Sequence, residues 1–121
     1  MRRPRHVDVS VATVEILPYA DASFDKALCV HVVYFWNDLD AAFRDIARVL
    51  RPGGRAAFVL RTAANKAAVR AFPPDVYRFR SLDDLAAAMA DAGLVCIKPD
   101  DEDERRSAVL LMAEKSRAGS V

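Results

Sequence analysis

The sequence predicts an α/β fold: a mostly parallel sheet with helices between its strands and an antiparallel strand pair near the C-terminus. Three observations predict it. Short apolar runs at 26–33 and 55–60 have the length and composition of strands buried in a sheet. The stretch between them has helical periodicity and ends in Pro52-Gly53-Gly54, which makes a strand–helix–strand unit with parallel strands. Two further apolar runs, 94–98 and 107–114, are joined by a short polar, mostly acidic connection, so they must run antiparallel if they pair.

The elements follow in order. Val7, Val9 and Val11 alternate with Asp8 and Ser10, the period of a half-buried strand, and the pattern shifts near Ala12–Thr13. Pro18 and Asp21-Ala22-Ser23 then supply a loop. Lys26–Val33 is apolar except for His31, which suits a strand covered on both faces. Asn37 or Asp38 can cap the next helix, whose apolar stripe is Leu39, Ala42, Phe43, Ile46 and Leu50. Its opposite face places acids first and bases last, in keeping with the helix dipole. After the 55–60 strand, 62–71 is helix-compatible, Pro73-Pro74 interrupts it, and 76–80 fits neither period. Ser81 with Asp84 has the spacing of a capping box, followed by a stripe of Leu82, Leu85, Ala86 and Met89 and a stop at Gly93.

Composition narrows the function classes. The 121 residues are 53% hydrophobic and 29% charged, as expected of one folded domain. Eighteen Lys and Arg against seventeen Asp and Glu leave no surplus for a nucleic-acid footprint. No apolar run approaches the roughly 18 residues that span a bilayer, and the start MRRPRHVDVS has no apolar signal core. Cys29 and Cys96 each sit in an apolar run and read as buried free thiols, which points to a reducing, cytoplasmic setting. Between 61 and 80, Arg61, Lys66, Arg70, Arg78 and Arg80 face only Asp75. Solvated charge explains that bias, and so does a phosphate- or carboxylate-bearing substrate.

Four glycines occur, and none belongs to a G-x-G-x-x-G or G-x-x-x-x-G-K loop. Gly53-Gly54 follows a helix and reads as a turn that needs positive φ. His6 and His31 are the only histidines, and no compact Cys/His cluster offers a metal set. Cys29 and His31 share strand parity, but the run contains no G-x-S-x-G elbow. Ser23 reads as a turn residue. The stretch from His31 to Trp36 says more. Ligands of open α/β sheets bind beyond the carboxyl ends of the strands, where His31, Tyr34, Phe35 and Trp36 fall. An aromatic wall with one imidazole suits a cation or an apolar ligand, or else forms a cluster under the following helix. Asp25 lies at the opposite end of the strand and reads as structural. Glu15 and Asp21 lie nearer the ligand end of the preceding strand, as substrate-orienting groups or solvated carboxylates.

LPYADASFD at 17–25, the apolar strand through His31, RVLRPGG at 48–54 and FRSLDDLAAAMADAGL at 79–94 together resemble class I S-adenosylmethionine-dependent methyltransferases of the small-molecule type (methyltransferase type 11-like). The resemblance implies a Rossmann-like sheet of order 3-2-1-4-5-7-6, of which this chain holds the third to seventh strands, a partial methyltransferase sheet. It implies one truncated domain over 1–121, with a principal core at 25–114 and a detached or rearranged strand at 7–16. It implies S-adenosyl-L-methionine as cofactor, with Thr13 and Val14 bordering adenine and His31 near the methionine part. Where the family usually has an acid, this chain has Thr13. Tyr34 and Trp36 match the start of the acceptor pocket, and His31 is the candidate for a catalytic role. The methyl acceptor is an unspecified small molecule.

The sequence has no counterpart of the family's first strand, glycine-rich loop, first helix and second strand, nor of the acid that holds the ribose. In the family order, two absent strands separate the present third and fourth, leaving a gap of about 14 Å. Rearrangement, pairing with a second copy or a complementing chain, and a shortened gene product are the three outcomes open. If the site is completed, methyl transfer is a one-step displacement resting on proximity and an organised pocket, with no covalent nucleophile or metal required. The rival expectations are a non-catalytic interaction module that pairs through an exposed sheet edge, and a gene fragment without function.

Overall fold

A computed structural model describes residues 17–97 and 103–116. Its elements are β1 (Phe24–Val30), a 3-10 turn (Val33–Phe35), α1 (Leu39–Val49), β2 (Leu50–Leu60), α2 (Lys66–Ala71), α3 (Leu82–Asp91), β3 (Leu94–Ile97) and β4 (Val109–Lys115). The expected strand at 7–16 lies outside the described residues. The four described strands form one sheet of order β1-β2-β4-β3. β1 and β2 are parallel, and β4 runs antiparallel to both β2 and β3. This is the order and direction expected for the fourth, fifth, seventh and sixth strands of the methyltransferase sheet.

The α1 helix starts where Asp38 Oδ1 accepts the Ala41 N–H at 3.0 Å, which selects Asp38 over Asn37 as the cap. Its buried residues Ala42, Phe43, Ile46 and Ala47 meet Leu85, Ala88 and Met89 of α3 and the Ala56–Phe58–Leu60 side of β2 in one core. Ala86, expected in the α3 stripe, is exposed, and Ala88 takes its place. The Ser81 hydroxyl accepts the Asp84 N–H at 3.1 Å, and Gly93 ends the segment at φ 85°.

Three expectations need revision. The first strand occupies 24–30 rather than 26–33, because His31 turns the chain into the left-handed region at φ 53°. The second begins at Leu50, so Arg51-Pro52-Gly53-Gly54 lies within it, where the β1–β2 register shifts between Phe24 and Lys26. Gly53 has the positive φ of 82°, whereas Gly54 is required by space: a Cβ there would stand 2.8 Å from Arg51 O and 3.0 Å from Asp25 O. Finally, β1 is not covered on both faces by the described residues. α1 and α3 pack on the Phe58 side, while Leu28, Val30, Val95, Ile97 and Leu110 project from the other. Leu28 is 70% exposed.

Among the described residues, no helix is long and apolar enough to cross a membrane.

Candidate functional site

The loop before β1 is clamped to α1 by one guanidinium. Arg48 donates through Nε to Asp45 (2.7 Å), through Nη1 to Asp21 (2.8 Å) and the Tyr19 carbonyl (2.7 Å), and through Nη2 to the Leu17 carbonyl (2.9 Å). Asp45 also accepts the Leu17 N–H. The Arg48 hydrogen bond is the main reason that the Asp45 carboxyl titrates below its usual range. Two sequence motifs, LPYADASFD and RVLRPGG, therefore meet physically. Asp25, at the far end of β1, pairs with Arg51 at 2.7 Å, consistent with a structural role.

At the carboxyl ends of β1 and β2 the chain builds a cavity of about 220 Å³. His31 begins it. Its N–H donates to the Val59 carbonyl at 2.7 Å, holding the left-handed turn against β2. The 3-10 turn then folds Tyr34 back so that its hydroxyl lies 2.9 Å from His31 Nδ1 and accepts the Arg61 N–H at 2.5 Å. The Tyr34 carbonyl accepts the Arg78 N–H at 3.0 Å, which draws the 77–79 segment across the opening. The Phe79 ring stands 4.9 Å from that of Tyr34. Phe35, Phe72, Tyr77 and Arg61 complete the lining. Burial raises the Tyr34 phenol above its usual value, opposed by the Arg61 N–H and charge. Arg80 braces the turn, donating to the Val33 and Trp36 carbonyls at 3.1 and 2.9 Å.

A second cavity of about 270 Å³ shares Tyr77 and Phe79 as a wall and is otherwise lined by Lys66, Arg78 and small apolar residues. Among the described residues, no Asp or Glu lines either cavity.

The structure brings His31 and Tyr34 together. Trp36, expected beside them, is 6% exposed in the core, 5.6 Å from Phe43 and 6.5 Å from Phe58, and does not line the cavity. The helix that follows it at once, α1, covers its ring. Thr13, Val14 and Glu15 lie outside the described residues. Of the other lining residues, Arg61 has a signal in the sequence, the basic bias of 61–80, whereas Phe72, Tyr77 and Phe79 have none. Cys29 and Cys96 are free and half-buried rather than fully buried, and burial pushes the Cys29 thiol up to about 11. Such a thiol is a poor nucleophile at neutral pH.

The described residues do not fit the whole of S-adenosylmethionine. Sites for ligands of drug size run to roughly 300–1,000 Å³. The His31 cavity is smaller, and it offers no carboxylate to a pair of ribose hydroxyls. It is the size of one small molecule or one end of a larger one.

Residues 1–58 match the family model described as a methyltransferase domain. The chain is 33% identical over 108 residues to malonyl-[acyl-carrier protein] O-methyltransferase of Geobacter sulfurreducens, a match covering 79% of this chain and 40% of that protein. It spans 40% or less of the length of the first curated relatives it matches. The fold superposes on a putative methyltransferase of Haloferax volcanii, solved in complex with the Trm112 activator, with a TM-score of 0.75. That match has 18% identity and covers 88% of this chain and 61% of that one. A possible histamine N-methyltransferase from Thermotoga maritima gives a TM-score of 0.72 at 21% identity, over 87% and 62% of the two chains. Sequence match and fold agree: residues 1–58 match a methyltransferase domain, and the chain is similar to S-adenosylmethionine-dependent methyltransferases of class I, in a stretch that does not contain their glycine-rich cofactor motif.

Proposed function

We propose that this chain is the acceptor-side part of a small-molecule methyltransferase, and that the His31–Tyr34 cavity holds the methyl acceptor. One observation carries the reading: an exposed histidine, fixed by its backbone and by a buried tyrosine, opens on an aromatic cavity at the carboxyl ends of parallel strands. S-adenosylmethionine would supply an electrophilic methyl group. Its main grip belongs to the glycine-rich half of the family fold, which these 121 residues do not include. Thr13, Val14 and His31 would touch it only at its edges. The chain's own residues bind and orient the acceptor. The rings exclude water, Tyr34 fixes the imidazole, and the imidazole Nε2 is the nitrogen left to meet the acceptor.

The test is a fusion of this chain behind the glycine-rich strand–helix segment of a family member. Purified fusion is incubated with methyl-labelled S-adenosylmethionine and a small-molecule extract. Label should pass to an extractable product, and Tyr34→Phe should slow it. A fusion that binds the donor yet transfers no label would overturn the reading.

A second reading is favoured by the exposed Leu28, Val30 and Val95 on the uncovered sheet face and by the outer edge of β1, which has no strand partner among the described residues. Here the chain acts by association, either with itself or with a complementing chain. Ultracentrifugation should then show a defined assembly that Leu28→Lys disrupts. A strictly monomeric wild-type chain would argue against it.

A further inference from the structure

We propose that the His31 cavity selects a planar ligand carrying a carboxylate. The inference rests on reading this cavity as the acceptor site and deepens it by naming the chemical class.

Charge is the first argument. Five aromatic rings could hold a cation through their faces. Arg61 stands in the wall, however, with Lys66 and Arg78 lining the adjoining cavity, and among the described residues no acidic one lines either. The Arg61 guanidinium has no ion pair among the described residues. A bound cation would meet uncompensated like charge in a half-buried setting, whereas a carboxylate gives Arg61 a forked partner.

The imidazole tautomer is the second argument. Tyr34 is 5% exposed, so its hydroxyl proton needs an acceptor. The Arg61 N–H already donates to the oxygen. His31 Nδ1, at 2.9 Å, is the acceptor within reach. With Tyr34 donating to Nδ1, a neutral His31 carries its own proton on Nε2. That nitrogen is then a donor, suited to an oxygen that is already anionic. An alcohol that must lose a proton would need the opposite tautomer. Arg61 and His31 thus present two donors with aromatic walls between them, which sets both charge and shape.

The probes are benzoate, its neutral isostere benzamide, and phenyltrimethylammonium, each titrated into the 121-residue chain with the His31, Tyr34 and Phe79 signals followed by NMR. Benzoate should bind at least about ten-fold more tightly than benzamide, a difference of about 1.4 kcal/mol, and the cation should leave these signals unmoved. Arg61→Gln should bring benzoate down to the level of benzamide, and Arg61→Lys should retain the preference. Both variants keep the backbone N–H that bonds Tyr34, and an unchanged amide spectrum confirms that they fold. Benzamide binding as tightly as benzoate, a preference that survives Arg61→Gln, or no shift with any probe would each overturn the proposal. No donor is needed. Benzoate binding without methyl transfer by the fusion sinks the methyltransferase reading alone, and transfer confined to neutral acceptors sinks this one alone.

Discussion

Replacing Tyr34 with Phe removes one oxygen from the centre of the candidate site. The ring keeps its place 4.9 Å from Phe79, and nothing changes in volume beyond the hydroxyl. What is lost is the acceptor for the Arg61 N–H, at 2.5 Å, and the donor to His31 Nδ1, at 2.9 Å. A typical buried hydrogen bond contributes about 1 kcal/mol, and a donor left unsatisfied costs about 1–3 kcal/mol. His31 is exposed, and its ring can turn to water. Arg61 is half-buried, and water can replace the lost acceptor only in part. The net destabilisation should therefore be about 1–2 kcal/mol. With a urea slope of roughly 1–3 kcal/mol/M, the midpoint should fall by about 0.3–2 M. Tyr34→Ala also removes the ring and should cost about 3–5 kcal/mol. Hydrogen exchange adds a local readout, because the Arg61 amide should lose protection in Tyr34→Phe more than its neighbours in β2. An unchanged midpoint together with unchanged Arg61 protection would refute the bridge and the tautomer built on it.

Gly54→Ala should destabilise by at least about 2 kcal/mol in the same assay, because both atoms nearest its Cβ are backbone carbonyl oxygens; Gly53→Ala, which meets only an unfavourable φ, should cost about 1 kcal/mol. His31→Gly should be more stable than His31→Ala by about 1 kcal/mol, since the left-handed turn at φ 53° disfavours any Cβ; equal stability would mean that the turn relaxes. Asp45→Asn should lower stability at neutral pH by roughly 1 kcal/mol through its weaker bond to Arg48. The folded-state value of the Asp45 carboxyl is depressed, so its contribution is present above the unfolded carboxylate value of about 3.9 and is lost as pH falls through the folded one. Acid titration monitored by circular dichroism should therefore show a shallower loss of stability below about pH 4 in Asp45→Asn than in wild type.

Much of this fold is legible in the sequence because the signals are local. α1 declares itself through Asp38, the Phe43–Ile46 stripe and the glycines after it, and α3 through Ser81, Leu85 and Gly93. The sheet order follows from the family resemblance and from the short connection between β3 and β4. What was not legible depends on contacts distant in sequence. Nothing local says that the 76–80 segment crosses to Tyr34, yet that crossing brings Phe79 and Tyr77 to His31. The end of β1 is hidden in the sequence because Val32 and Val33 continue the apolar run while the His31 φ breaks the strand. The RPGG stretch looked like a turn before a strand, because a bulge in parallel pairing leaves no composition signature distinct from a turn. Trp36 reads as a pocket residue from its neighbours, and only the packing of Phe43 and Phe58 shows that its ring belongs to the core. The LPYADASFD and RVLRPGG motifs were visible separately, but their meeting through Arg48 was not.

The most direct measurement is a comparison of acceptor and donor kinetics in the glycine-rich fusion, with His31→Ala beside the unaltered chain. If the cavity holds the acceptor, the substitution should raise the acceptor KM by about ten-fold, the loss of one charge-assisted bond, and leave the donor KM unchanged. A rise in the donor KM with the acceptor KM untouched would show that His31 serves the methyl donor and that the acceptor binds elsewhere.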